Sequence, residues 1–527
     1  MMAWFALAML GVGLALMATT GWASYVVLLL VSCVIAAVGL VSGALDAALL
    51  QALPARVLGL LEHDLLQAVA LYALVGALLR ELDVAGAVID AGSALGRRLG
   101  LGAMPAEVLG GYALGALAAP MNGSVGACAS MLARTAAPRW RAAGLGASQT
   151  VALTAAAATL GAIVPPSLVL LLLGDAMMRA HTEALQIAGT HDVRVINTQD
   201  LVQAGAPVAA LLALAWAASA LWAARREAPR AGAPGAAAPA GTGPSTQSAA
   251  ACAAAPDQKT SAPAPVRALG IVAPLAVALL LALVALGWVR AVEAAATAAL
   301  ALFLHAWASG GLRGAHLAQV LDDAMSLTGA LFALLLAATT LSLVLRASGC
   351  DLLVARGLAR LADTPALALA AVLGAMLLLA FVLDAFEIVF VVVPLVMPPL
   401  LVLLPDAAWV ACLALLVLQA GFLLPPWGYA VVLARALALT PHSAPSHDAT
   451  ASAPRAGAQR PSTRQLSAAL VPYLAALAAV LALVLAFPGL THWLRTAPAS
   501  IAPGIAPDAV DDMLRQMSPA PEQRATP

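Results

Sequence analysis

Long apolar runs, separated by short polar stretches, extend along almost the whole chain. A helix needs about 20 apolar residues to cross the hydrocarbon core of a bilayer, and many of the runs approach that length. The pattern therefore predicts an all-α polytopic membrane protein with about 11–13 membrane segments. We place these segments at residues 2–18, 22–42, 64–79, 104–120, 147–174, 203–224, 268–289, 291–308, 325–345, 365–383, 388–404, 407–436 and 466–487.

Polar stretches divide these apolar runs into larger units. Residues 225–266 are rich in Ala, Pro, Gly and Ser, a composition that cannot build a core, so we predict a disordered linker there. Residues 437–465 have a similar composition and predict a second polar linker, while residues 488–527 form a polar tail. The predicted units are a first membrane half at 1–224, a second membrane half at 267–436 and a last transmembrane helix at 466–487.

A short pattern occurs once in each half. Residues 161–166 read Gly-Ala-Ile-Val-Pro-Pro and residues 421–426 read Gly-Phe-Leu-Leu-Pro-Pro, both inside apolar runs. Proline removes a backbone donor and clashes with the preceding turn, so two in succession predict a break in the helix. Broken backbone is tolerated at membrane depth only where it is buried in protein or lines a cavity. Broken helices are thus predicted at 147–174 and 407–436.

Polar residues interrupt an apolar run upstream of each double proline. Asn122 precedes Pro165 by 43 residues, and Asp384 precedes Pro425 by 41. Matched interruptions of this kind, each followed by a broken helix, indicate the binding site of a secondary transporter. In the first half, arginines on both sides of residues 104–133 predict a re-entrant helical hairpin or two short spans there. The alternatives are a hairpin tip at the membrane interface for the acidic pair in the second half, and simple helix packing around Gly123 in the first.

Such breaks supply the chemistry of an ion and substrate site. Sodium prefers oxygen ligands, which unwound backbone and small polar side chains provide. Half-helix N-termini favour an anionic substrate. The predicted substrate- or ion-binding residues are Asn122, Gly123, Ser124, Pro165, Pro166, Ser167, Asp384, Glu387, Gln419, Pro425, Pro426 and Gly428, with sodium at Ser124, Asn122, Asp384 and the backbone carbonyls near Pro165 and Pro425.

Composition and charge agree with a membrane location. The chain is 63% hydrophobic and 10% charged, whereas a soluble domain carries about 25% charged residues. Its net charge is zero, so bulk electrostatics give no reason to expect nucleic-acid binding. Arginines cluster at 225–230, which places the first linker in the cytoplasm by the positive-inside rule. The lipid bilayer is therefore an expected partner.

The sequence contains no motif typical of an enzyme or of an ATP-driven pump. The chain has one lysine, Lys259, and no glycine-rich stretch precedes it, so a phosphate-binding loop is excluded. Neither the eight histidines nor the five cysteines show a metal-binding or redox spacing. We therefore expect neither a catalytic residue nor a cofactor, apart from sodium as a coupling ion.

Four segments resemble the large membrane subunit of a tripartite ATP-independent periplasmic (TRAP) transporter, in the ion-transporter superfamily. They are GGYALGALAAPMNGSVGACAS, ASQTVALTAAAATLGAIVPPSLVLLLLGD, FVLDAFEIVFVVVPLVMPPL and LVLQAGFLLPPWGYAVV. The likeness covers roughly residues 58–220 and 320–436. Two departures are Met-Asn-Gly-Ser where a run richer in Gly and Ser is common, and Gln419-Ala420 where a hydroxyl residue is expected.

The resemblance implies a secondary active transporter. It implies an elevator-type permease of the bacterial inner membrane, built as an inverted repeat with a re-entrant helical hairpin in each half, near residues 104–133 and 365–404. Such a permease would import an organic anion, such as a C4-dicarboxylate or a related acid, together with sodium. A small membrane subunit and a periplasmic solute-binding protein would be its partners. Two alternatives remain, a stand-alone carboxylate carrier or antiporter of the same superfamily and a non-transporting membrane scaffold subunit.

Overall fold

A computed structural model describes residues 1–46, 48–61, 64–81, 84–122, 124–188, 196–231, 276, 279–308, 314–439 and 462–494. All regular secondary structure within these ranges is helical. Long apolar runs in which polar residues do not alternate with apolar ones predict this. The prediction of an all-α polytopic membrane protein is thereby confirmed. Most of the two predicted linkers and of the polar tail lies outside the described residues.

The first half contains ten helices among the described residues. They are α1 (Met2–Thr20), α2 (Ser24–Val41), α3 (Ala48–Leu61), α4 (Asp64–Glu81), α5 (Val84–Arg98), α6 (Ala103–Asn122), α7 (Val125–Ala142), α8 (Ala147–Thr159), α9 (Leu168–Ala188) and α10 (Thr198–Ala231). A 3-10 turn, Leu160–Ala162, continues α8. Since α10 ends at Ala231, the predicted linker is helical at residues 225–231.

The regular secondary structure of the second half is also helical throughout its described residues. Residues 279–285 are helical, and then come α11 (Ala291–Ala308), α12 (Ala315–Ala347), α13 (Cys350–Ala359), α14 (Pro365–Leu379), α15 (Ala385–Leu403), α16 (Ala407–Leu423), α17 (Tyr429–Leu439) and α18 (Thr463–Ala486). A 3-10 turn at Pro488–His492 follows α18. The Ser462 hydroxyl and the Gln465 side chain form the capping box that begins α18.

Seven of the described helices are long and apolar enough to cross a bilayer, namely α1, α2, α10, α11, α12, α15 and α18. The sequence predicts more segments because it counts hairpin arms and half-helices, which are shorter. For example, α8 has 13 residues and α16 has 17. By contrast, α10 has 34 residues, about 50 Å at 1.5 Å per residue, so its C-terminal end extends beyond a hydrocarbon core of about 30 Å.

The helices pack into two groups. In the first, α12 packs along α2 and α4, and α11 also packs on α4. In the second, α6–α10 and α14–α18 interleave, so that α9 lies against α15 from the other half. Correspondingly, α17 lies against α7 and α8. Each broken helix is therefore packed against a helix of the other half.

Candidate functional site

The glycine that opens each double-proline pattern allows a close helix approach. A Cβ atom on Gly161 would lie 2.5 Å from the carbonyl oxygen of Ala119, near the end of α6. A Cβ atom on Gly421 would overlap the Cβ of Ala380, directly after α14. In both halves, the broken helix thus touches the end of the first hairpin arm at a position where only glycine fits. This contact is a physical reason for the pattern in both places.

The first break, residues 160–167, is held by buried hydrogen bonds. The Ser167 hydroxyl donates to the carbonyl of Ala162 at 3.0 Å and accepts from the N–H of Leu170 at 3.3 Å. Ser167 therefore satisfies backbone groups on both sides of the break, as an N-terminal cap does. Pro165 and Pro166 are buried, and the peptide bond between them is cis.

The second break, residues 424–428, is tighter and partly open. The Gly428 N–H donates to the carbonyl of Leu424 at 2.8 Å. A Cβ atom on Gly428 would lie 2.5 Å from the carbonyl oxygen of Phe422, which explains a glycine here. Pro425 is half-buried and Pro426 is exposed, and their peptide bond is also cis.

The two broken helices meet at equivalent residues. The Gln419 side-chain Nε2 donates to the backbone carbonyl of Thr159 at 2.8 Å. Thr159 lies six residues before Pro165, and Gln419 lies six before Pro425. Both residues are fully buried. A contact between two equivalent positions is what a two-fold axis produces when it passes between them.

This contact leaves one oxygen without a donor. Gln419 Oε1 is buried and forms no hydrogen bond, although its own amide nitrogen is bonded. The Thr159 hydroxyl donates to the carbonyl of Ala156 at 3.0 Å, so its lone pairs remain available. A buried acceptor without a partner is costly, and a cation would satisfy it. Gln419 and Thr159 thus present oxygen atoms of the type that sodium prefers.

Asp384 and Glu387 form a helix cap at the tip of the second hairpin. Asp384 Oδ1 accepts from the N–H of Ala385 at 2.8 Å, and the N–H of Asp384 donates to Glu387 Oε2 at 3.0 Å. Together they make a capping box at the start of α15. Ser24, the first residue of α2, lies near the Glu387 carboxylate. The Glu387 side chain is buried, whereas the Asp384 side chain is exposed.

The tip of the first hairpin carries a hydroxyl cap. Ser124 begins α7, and its Oγ accepts from the N–H of Ala127 at 3.4 Å. Asn122 is the last residue of α6, and Gly123 lies outside the described residues. No acidic residue occupies the first turn of α7, so its N-terminus keeps its partial positive charge.

Aromatic side chains of the second break lie between the two hairpin tips. A Cβ atom on Gly126 would lie 3.1 Å from the Tyr429 hydroxyl, which places Tyr429 beside the first hairpin. Tyr429 is also close enough to Asp384 to interact with it electrostatically. Trp427 is 69% exposed and packs edge-on against Phe381, with ring centroids 6.3 Å apart.

The predicted site residues therefore divide among five places: Asn122 and Ser124 lie at the junction of α6 and α7, Pro425, Pro426 and Gly428 lie in the second break, and the other described site residues occupy three further places. Gln419 lies at the crossing of the broken helices, Ser167 lies inside the first break, and Asp384 with Glu387 caps the second hairpin. The sequence analysis missed Thr159 and Tyr429, and it did not recognise the Asp-x-x-Glu spacing of the capping box. The equivalence of Thr159 and Gln419 was readable from their common distance to the double prolines.

Potential metal ligands are scattered among the described residues. No group of three or more His, Cys, Asp or Glu side chains there could hold a metal ion. Cys128, Cys350 and Cys412 are buried and belong to no disulfide bond, which is a common environment of cysteine in apolar packing.

Comparisons with known proteins give a family and a fold. Residues 7–490 match the sequence model of the DctM component of the tripartite ATP-independent periplasmic transporter. No curated protein sequence matches the chain significantly. The crystal structure of the YdaH transporter of Alcanivorax borkumensis is similar, with a TM-score of 0.54 at 18% identity, over 85% of this chain and 90% of that one. At that identity the likeness concerns the fold alone.

Proposed function

The chain belongs to the DctM family of tripartite ATP-independent periplasmic transporters, and from this premise we propose that it imports an organic anion together with sodium. The family makes it a multi-pass membrane permease of a secondary transporter. We propose further that the solute is a carboxylate, such as a C4-dicarboxylate or a related acid. A periplasmic binding protein delivers it, and a small membrane subunit completes the complex. The permease and the small subunit lie in the bacterial inner membrane.

The main support for this proposal is Gln419 Oε1, which is buried and has no hydrogen-bond donor. It is buried where the two broken helices meet, on the side chain whose nitrogen donates to the Thr159 carbonyl. A sodium ion there would receive oxygen ligands from both halves at once. Ion binding would then stabilise the crossing, which is how an ion can bias the arrangement of the two halves.

The two hairpin tips support different roles. The N-terminus of α15 already carries the carboxylates of Asp384 and Glu387, so its positive dipole end is neutralised. The N-terminus of α7 has only the Ser124 hydroxyl as a cap and remains favourable for an anion. We therefore assign the solute carboxylate to the side of the first hairpin, and cation binding to Asp384 and the crossing.

An elevator-type inverted repeat accounts for the packing. The interleaved group α6–α10 with α14–α18 would be the moving unit, and the group around α4 and α12 would be the fixed one. The Thr159–Gln419 contact supports a pseudo-two-fold axis that passes through the centre of the moving unit.

Reconstitution tests this function directly. The permease, its small subunit and its binding protein are assembled in proteoliposomes, and uptake of labelled succinate is measured with and without an inward sodium gradient. The informative variant is Asp384→Asn, because asparagine caps a helix as well as aspartate does but removes the charge. The matched control is Glu387→Gln, which keeps the capping box.

We expect uptake to require the sodium gradient and the binding protein. We expect Asp384→Asn to lower the initial rate by about tenfold or more, since a hydrogen bond or ligand contact to a charged group contributes about 1.5–3 kcal/mol. Glu387→Gln should retain most of the rate. Uptake without the binding protein would indicate a stand-alone carrier, uptake driven by protons alone would exclude sodium coupling, and full activity of Asp384→Asn would exclude this carboxylate as an ion ligand.

A further inference from the structure

A pocket of about 310 Å³ lies where α8, α10 and α18 meet, away from both hairpin tips. Gln149, near the start of α8, forms part of its wall, and the last turns of α10 contribute charged residues. From α18 come apolar residues near Pro472. The pocket plays no part in the ion and solute site described above.

Two polar side chains of this pocket have hydrogen-bonding atoms that form no hydrogen bond with a described residue. Gln149 Oε1 is buried and accepts no hydrogen bond. The Arg226 guanidinium stacks on the Trp222 ring at 3.7 Å from the ring centroid, and it forms no ion pair with another described residue. Stacking uses the face of the guanidinium, so the N–H groups in its plane stay free to donate.

Glu227 adds a carboxylate to the same pocket. Its Oε2 accepts from the N–H of Gly146 at 2.7 Å, at the start of α8. Its Oε1 lies next to the same glycine, 3.1 Å from where a Cβ would be. One wall therefore offers a cation, Arg226, while another offers acceptors, Glu227 and Gln149. A ligand that carries an anion and a nitrogen cation a few ångströms apart complements both.

The pocket opens at the level where lipid headgroups lie. Trp222 is 46% exposed and Val471 is 58% exposed, and both belong to helices of membrane-span length. A tryptophan and an arginine near the end of a long transmembrane helix are typical of the membrane interface. The apolar part of the opening therefore contacts acyl chains, and the polar part faces the headgroup region.

We propose that this pocket binds the headgroup of an amine-bearing phospholipid, a phosphatidylethanolamine. The phosphate accepts hydrogen bonds from Arg226. The primary ammonium donates to Gln149 Oε1 and to the Glu227 carboxylate, so the orphan oxygen gains its missing donor. The bound lipid joins α8, α10 and α18 on the outer face of their group.

Binding of short-chain lipids to the detergent-solubilised full-length chain tests the proposal without any transport assay. Dioctanoyl phosphatidylethanolamine is compared with dioctanoyl phosphatidylcholine, whose three N-methyl groups remove every N–H donor. Affinity is read from the shift in thermal unfolding with lipid concentration. Dioctanoyl phosphatidylglycerol and inorganic phosphate serve as probes of the phosphate contact alone.

We expect the ethanolamine lipid to bind about tenfold more tightly than the choline lipid, the size of one charge-assisted hydrogen bond. Gln149→Leu should reduce this preference severalfold, since only the Glu227 carboxylate then accepts from the ammonium, while weak binding of both lipids is kept. Arg226→Gln should weaken both about equally. The control is Arg225→Gln, which removes the neighbouring charge from a different pocket and should change neither affinity.

Equal affinity of the wild type for the two lipids would overturn the proposal, as would an unchanged preference in Gln149→Leu. Phosphate alone shifting unfolding as strongly as the lipid would show a simple anion site instead. If Arg226→Gln does not fold into a monodisperse protein, Gln149→Leu still tests the proposal through its preference for the ethanolamine lipid over the choline lipid. Lipid that stays bound through purification, identified by mass spectrometry, gives a second readout.

Discussion

Gln419→Leu separates a structural role of the crossing from an ion-binding role. Leucine has nearly the shape of glutamine but neither donates nor accepts. The substitution removes the 2.8 Å hydrogen bond to the Thr159 carbonyl and also removes the buried oxygen that has no donor. These two losses act in opposite directions on the free energy of unfolding.

The magnitudes can be estimated for both conditions. Without sodium, the loss of the hydrogen bond leaves the buried Thr159 carbonyl without its donor and costs about 1–3 kcal/mol, while removal of the unsatisfied oxygen returns about 1–3 kcal/mol, so the variant should be about as stable as the wild type. With sodium at a hundred times its dissociation constant, the wild type gains about 2.7 kcal/mol. If the loss of Gln419 Oε1 weakens sodium binding a hundredfold, the gain at the same concentration falls to about 0.4 kcal/mol.

Thermal unfolding of the purified protein in sodium chloride and in choline chloride at equal ionic strength measures this difference. At about 1–2 °C per kcal/mol for a chain of 527 residues, the sodium-dependent increase in Tm should be about 3–5 °C for the wild type and under about 1 °C for the variant. Gln149→Leu is the matched control, since it removes another buried orphan amide oxygen far from the crossing. It should keep the full sodium response.

Two results would refute the reasoning. An equal sodium response in Gln419→Leu and in the wild type would show that this oxygen is not an ion ligand. A large loss of Tm in the variant already in choline chloride would show that the Thr159 hydrogen bond is mainly structural. Either outcome would leave Asp384 as the remaining candidate ligand from the second half.

Further predictions concern the packing that surrounds the crossing. Gly161→Ala and Gly421→Ala should each destabilise the protein by about 1–3 kcal/mol through overpacking, whereas Gly374→Ala, where a Cβ would meet nothing within 4 Å, should be neutral or stabilising; thermal unfolding of the three variants checks this. Arg346 forms two hydrogen bonds to the carboxylate of Glu183, at 2.8 and 2.7 Å, and thereby ties α12 to α9. Arg346→Gln and Glu183→Gln should each lower Tm, and the double variant should lose less than the sum of the two, which a double-mutant cycle measures.

The sequence predicts the helical pieces of the fold well because each has a local cause. Double prolines break a helix wherever they lie in it, and apolar runs of sufficient length favour membrane segments. The turn between α14 and α15 is local in the same sense, since Asp384 and Glu387 have the spacing of a capping box. That spacing was visible in the sequence, and it assigns these carboxylates a structural role in addition to any role in ion binding.

The pairing of helices is less accessible from the sequence. Gln419 and Thr159 are 260 residues apart, and a single sequence gives no signal that their side chain and backbone meet. The same holds for Glu183 and Arg346, which are 163 residues apart. Amide chemistry alone could not distinguish Gln419 from a helix-packing residue, because its importance lies in an oxygen that packing leaves without a donor.

Gln419 Oε1 lacks a donor because the two halves carry different residues at the crossing. If both equivalent positions carried threonine, the short side chains would each bond within their own helix, as Thr159 does with Ala156. The longer amide of Gln419 instead reaches across to the other half, and it brings an NH2 group and a carbonyl oxygen to a place where the NH2 group finds the Thr159 carbonyl but the oxygen finds no donor. Its nitrogen is satisfied there and its oxygen cannot be. A cation is the simplest group that satisfies the oxygens of both halves together, so the departure from a hydroxyl at this position strengthens the case for an ion at the crossing.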